Sequence, residues 1–114
     1  MKIVINNRDK YIRKELIRML SDNYPNSEAV GYEDPLMAAK SVYMGSADVV
    51  IYGLSGIKLI PMLKKYDSNI RVVIVAENAS HRDEAGSAGA DAYITIPIRE
   101  DELFSAVEGT SFEI

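Results

Sequence analysis

Val72-Val73-Ile74-Val75-Ala76 decides how this chain reads. Four of these five consecutive apolar residues are β-branched, a run too short for a helix and without the alternation of a strand that is half in water. It fits a strand buried on both faces, as in a parallel sheet covered by helices. Outward from it, Val49 to Tyr52, Ile3 to Ile5, and Tyr93 to Ile98 (interrupted by Thr95 and Pro97) share that character, and Glu28 to Tyr32 is a weaker fifth.

Helical patterns fill the intervals. From Lys10 to Leu20, Ile12, Leu16, Met19 and Leu20 fall on one face, the basic residues project elsewhere, and Asp9 is placed to cap the first turn. Pro35 to Met44 reads as a second helix capped by Asp34, with Pro35 where its missing N–H costs nothing. Within Ile57 to Tyr66, Pro61 would cost about 3 kcal/mol in a helix interior, so the third helix is expected to start near Ile60. Ser80 to Ala88 contains Gly86 and few apolar positions, which makes the fourth helix marginal. The fifth opens on Glu100, Asp101 and Glu102, favoured by the helix dipole, and carries Leu103, Phe104 and Val107 as its apolar stripe. Five strands alternating with five helices make a doubly wound α/β sandwich.

At 114 residues, without a repeat or a linker, the chain is expected to form one domain spanning 1–114. It has no cysteine, which excludes a disulfide scaffold and a cysteine-zinc site. The net charge is −4, and all of it falls after Ile57, opposite in sign to a nucleic-acid footprint. With 47% hydrophobic and 26% charged residues the composition is globular, not disordered. No apolar run approaches a membrane span, and Met1 to Ile5 turns polar at Asn6, too soon for a signal peptide. The expectation is a cytoplasmic protein that binds neither nucleic acid nor membrane.

Ligands of such sheets sit beyond the carboxyl ends of the strands. Asn6-Asn7-Arg8-Asp9 follows the first strand and is neither a glycine-rich nor a Ser/Thr-rich phosphate loop; Gly53-Leu54-Ser55-Gly56 follows the third, and Glu77-Asn78 the fourth.

With Met1 to Leu20 at the start, Ser46-Ala47-Asp48-Val49-Val50-Ile51 leading into the third strand, and Gly89-Ala90-Asp91-Ala92-Tyr93-Ile94-Thr95-Ile96-Pro97 at the fifth, the chain resembles the receiver domains of bacterial two-component response regulators. The resemblance covers essentially the whole chain. It implies a flavodoxin-like fold, a five-stranded parallel sheet in the order 2-1-3-4-5 with helices on both faces. In that family a histidine kinase passes a phosphoryl group to an Asp ending strand three. An acidic pair after strand one holds Mg²⁺, and a hydroxyl after strand four and a Lys before the strand-five Pro meet the phosphoryl oxygens.

Here every one of those positions is changed. The acceptor position holds Gly53, the acidic pair falls on Asn7 and Arg8 or, one residue back, on Asn6 and Asn7, the hydroxyl position holds Ala76, and the Lys position holds Ile96. The segment after Gly53 is also several residues short. A carboxylate nucleophile, oxygen ligands for a hard cation and donors for phosphate are all missing. The chain is therefore expected to be a degenerate pseudo-receiver: not an enzyme, with no metal site and no cofactor. It would act through contact with a kinase, an output domain or a second copy, with a homodimer among the possibilities.

The family's partner surface, on helix four, strand five and helix five, would include Tyr93, Thr95 and Leu103. Alternatives are the N-terminal receiver module of a longer transcription regulator, and a small-molecule sensor built on the altered pocket. Plainer roles suffice for Tyr93, as a static strand tyrosine, and for three other residues: His81 as a surface residue, Asp9 as a helix cap, and Ser55 as a serine with no base placed beside it. The resemblance also implies a cis Ile96-Pro97 bond, with Ile96 covering part of the altered pocket.

Overall fold

The computed structural model describes residues 1–110, so the last four positions of the expected 1–114 domain lie outside the described residues. The strands are β1 (Lys2–Asn6), β2 (Glu28–Tyr32), β3 (Val49–Tyr52), β4 (Arg71–Ala76) and β5 (Ala92–Thr95). The helices are α1 (Lys10–Asn23), α2 (Pro35–Gly45), α3 (Ile60–Tyr66), α4 (Arg82–Ala88) and α5 (Glu100–Glu108). All strand pairs are parallel, in the order β2-β1-β3-β4-β5. This is the expected flavodoxin-like sheet.

The alternation of side chains along each strand divides the core in two. Val4, Val50, Tyr52, Val72 and Ile74 face α2, α3 and α4, whereas Ile3, Ile5, Ile51, Val73 and Val75 face α1 and α5. Because both faces are covered, β3 is buried throughout and β4 at all but its first residue. That accounts for the unbroken apolar runs in the sequence.

The caps form as expected: Asp9 accepts from the N–H groups of Tyr11 and Ile12, and Asp34 from Leu36 N–H. α3 begins at Ile60 with Pro61 in its first turn, and a 3-10 segment, Leu54–Leu59, precedes it. α4 has seven residues and follows a 3-10 turn, Ala79–His81, capped by Asn78. Strand five is shorter than expected and stops at Thr95, not Ile98. Pro97 has no N–H to continue the ladder. The Ile96-Pro97 bond is cis, as expected.

Two polar links close the layers. Lys64 Nζ donates to Asp91 Oδ2 and to Ile70 O, both at 2.7 Å, and the same carboxylate oxygen accepts from Val72 N–H at 2.8 Å. Tyr24, at the end of α1, stands edge-on to Phe104 of α5 and donates its hydroxyl to Glu108. Burial, then the bond to Glu108 and its charge, push the Tyr24 phenol up to about 12.

The sign of the resulting linkage follows from proton counts. Between the ordinary tyrosine value near 10 and the raised one, the folded chain holds more protons than the unfolded chain, so stability falls as pH rises. Stability is expected to drop in that window, and Tyr24→Phe to remove part of the drop; urea melts at pH 9 and pH 11 measure it. An equal drop in the variant would contradict the assignment.

Candidate functional site at the carboxyl end of the sheet

Backbone bonds bring the strand ends together. Asn7 N–H donates to Tyr32 O at 3.2 Å, Gly53 N–H to Asn6 O at 3.0 Å, and Ile96 N–H to Ala76 O at 2.9 Å. Four of the positions singled out in the sequence thus meet here: Asn7 and Gly53 border one hollow of about 480 Å³ with Ala76 and Ile96. Arg8 is exposed on its rim. It also borders a second hollow of about 600 Å³ beside Asp34, Leu36 and Lys58, so Arg8 and Ser55 lie where the two adjoin.

Asn6 is the last residue of β1, and Asn7 Nδ2 lies 3.5 Å from where a Cβ on Gly53 would stand. Asn6 is only 1% exposed. Its Nδ2 donates to Tyr32 O at 3.3 Å and to Glu33 O at 3.0 Å, fastening β1 to the start of the β2–α2 turn. Turning the amide over would set Oδ1 against two carbonyl oxygens, so the network fixes its orientation. Oδ1 is buried without a partner among the described residues.

These residues do not fit the Mg²⁺ that the resemblance implies. Mg²⁺ takes carboxylates, waters and substrate oxygens in near-octahedral geometry. Here the groups at the strand end are amides with prior commitments: Asn7 Oδ1 accepts from Asp9 N–H at 2.9 Å, and Asn7 O accepts from Arg13 Nη1 at 2.6 Å. Among the described residues no three His, Cys, Asp or Glu side chains cluster as metal ligands would. Gly53 contributes no side-chain oxygen, and its backbone, at φ −75° and ψ 178°, is one any residue can adopt.

Arg13 is the residue that sequence reasoning passed over. It read as part of the solvated face of helix one, yet its guanidinium also reaches Arg8 O at 3.3 Å and holds a cation beneath the β1–α1 turn. Nothing in the spacing of the sequence marks that contact.

The proposed partner residues need correction. Leu103 is fully buried between α5 and the sheet, and Tyr93 is only 2% exposed, so neither presents a surface; Thr95 alone of the three is half-buried. Leu103 lies on the stripe by which α5 is held, and the Tyr93 hydroxyl donates inward to Asn78 O at 2.7 Å, with the Arg82 guanidinium 5.0 Å from the ring centroid. His81 is exposed, with Nδ1 3.0 Å from Glu84 Oε1. Ile96 is half-buried and lines the hollow, as expected.

No protein-family model matches this chain, and no curated protein does. Solved structures do. A response regulator receiver domain protein from Clostridium thermocellum is 21% identical, with a TM-score of 0.82 over 96% of this chain and 92% of that one. The Vibrio cholerae chemotaxis protein CheY4 is 15% identical, with a TM-score of 0.84 over 96% and 98%. A LuxR-family DNA-binding response regulator from Staphylococcus aureus is 19% identical, with a TM-score of 0.83 over 96% and 97%. At these identities the likeness establishes architecture: this chain has the fold of the response-regulator receiver domains.

Proposed function

We propose that this chain is a receiver-like module of two-component signalling that works through protein contacts, without aspartyl phosphorylation. The main support is the end of β3, where Gly53 offers no carboxylate and is flanked by Asn6 and Asn7, whose amides are engaged in holding the turns around them. Phosphoryl transfer to a side chain requires a nucleophile, and stabilising the transferred group requires cations or donors around it. Ala76 and Ile96 border the same hollow with apolar side chains, at the two positions where the resemblance implies a hydroxyl and a Lys. No helix among the described residues is long and apolar enough to cross a membrane. On this reading the module is a cytoplasmic non-enzyme that binds no metal, and its partner is a kinase, an output domain or another copy.

Amide NMR of the full chain with Mg²⁺ and beryllofluoride, a mimic of the bound phosphoryl group, tests this reading. The amides of Asn7, Gly53 and Ala76 are expected not to move. Saturable shifts at those three would overturn it.

A further inference from the structure

Large apolar side chains left in water are unevenly distributed. Of the eight that are exposed among the described residues, six lie on α2, the 3-10 segment and α3: Leu36, Met37, Met44, Leu54, Met62 and Tyr66. None lies on α4, β5 or α5. The two helices stand side by side at their outer edges. Leu36 and Leu59 border one hollow of about 600 Å³, and farther along Tyr43 and Tyr66 meet edge-on at 4.6 Å, with the Tyr66 hydroxyl donating to Tyr43 O at 3.1 Å. Met37, Lys40 and Met44 follow one helical face, and Leu59, Met62 and Tyr66 another.

The charge on this face is as informative as its apolar content. Lys40, Lys58 and Lys65 are exposed, and none is in an ion pair among the described residues. The carboxylates of Glu33 and Asp34 lie at the N-terminal end of α2, where Asp34 is engaged in the cap. By contrast Asp83, Glu84, Glu100, Asp101 and Glu108 are exposed on α4 and α5.

We infer that the α2–α3 face is a docking surface for an amphipathic helix of a partner protein that carries acidic residues beside its apolar stripe. A pair of helices whose outer edges expose Leu36, Met37, Met44 and Met62 accepts a third helix, and methionines adapt to its side chains. The lysines at the margins set the sign of the partner's charge. A second copy is a poor occupant. Pairing like faces would set Lys40, Lys58 and Lys65 against their counterparts, and the acidic α4–α5 side presents no exposed large apolar group to cover the methionines. This deepens the contact-signalling reading by giving the contact a place and a chemistry, and it rests on that reading.

The test titrates the full ¹⁵N-labelled chain with two synthetic helical peptides that share a Leu/Met stripe, one flanked by Glu and the other by Lys. Saturable shifts are expected with the Glu peptide, confined to residues 35–45 and 54–66, with at least about tenfold weaker binding of the Lys peptide. Leu36→Glu and Met44→Glu, at exposed positions, are expected to abolish binding while leaving the thermal melt unchanged. Lys40→Glu with Lys65→Glu should reverse the preference.

The proposal is overturned by any of four results: no binding of the Glu peptide, shifts centred on α4 and α5, equal binding of both peptides, or shifts at 35–66 with phosphatidylserine vesicles and not with the peptide. Self-association that Met44→Glu abolishes would assign the face to a second copy and overturn it as well. Beryllofluoride shifts at Gly53 together with Glu-peptide binding would sink only the phosphorylation-free reading. Absent binding with a silent Gly53 would sink only the docking face.

Discussion

Asn6→Asp is expected to destabilise the protein by about 3 kcal/mol at neutral pH. The substitution is nearly isosteric, yet it exchanges the two donors that Asn6 presents to Tyr32 O and Glu33 O for a carboxylate facing the same oxygens. Losing two hydrogen bonds costs roughly 1 kcal/mol each, and a buried charge against carbonyl dipoles adds to that. Burial and those dipoles would raise the new carboxyl's pKa in the folded chain above its unfolded value near 4. The penalty should therefore be complete above the raised pKa and shrink as pH falls through it. Urea melts of the variant and of Asn6→Ala at pH 7 and pH 4 measure this, with Asn6→Ala expected to show a smaller, pH-independent loss. An Asn6→Asp protein as stable as the parent at pH 7 would show that the strand end tolerates an acid.

Gly56→Ala should cost a similar amount, about 3 kcal/mol, for a steric reason. A Cβ on Gly56 would stand 2.4 Å from both Cγ and Cδ1 of Tyr52. That ring has nowhere to go: Tyr52 is fully buried, its hydroxyl donates to Pro35 O at 3.1 Å, and burial raises its phenol pKa. The glycine is what lets the segment after β3 lie on the tyrosine ring. Gly53→Ala is the control. Its Cβ would have its nearest neighbour at 3.5 Å, so a change within about 1 kcal/mol is expected. Thermal melts of the two variants decide the matter, and equal stability would contradict the close approach at Gly56.

The sheet was legible because burial on both faces leaves a mark that composition alone carries: Val72 to Ala76 and Val49 to Tyr52 have no polar residue to face water. Caps were legible for a similar reason, since Asp9 and Asp34 each sit immediately before a helical pattern. Tertiary geometry was not. The 3-10 segment Leu54–Leu59 depends on Gly56 packing against Tyr52, a contact with no periodic signature. Leu103 was read both as part of an apolar stripe and as part of a surface, and only the position of α5 on the sheet decides for the stripe. At the candidate site, the missing acids and hydroxyl were visible as residue types. That Asn6 is a two-armed donor between strand ends, and that Arg13 reaches back under the turn, follow from distances that no spacing encodes.

With Gly53 at the end of β3, this chain is expected to take up no phosphoryl group. Intact-protein mass spectrometry after incubation of the full chain with acetyl phosphate and Mg²⁺ tests it most directly, with Gly53→Asp run in parallel. Both proteins are expected to keep their unmodified mass. The parent lacks a carboxylate, and the variant would regain one beside amides that still provide no metal site. A stoichiometric, acid-labile phosphoryl adduct on the parent chain would contradict the account.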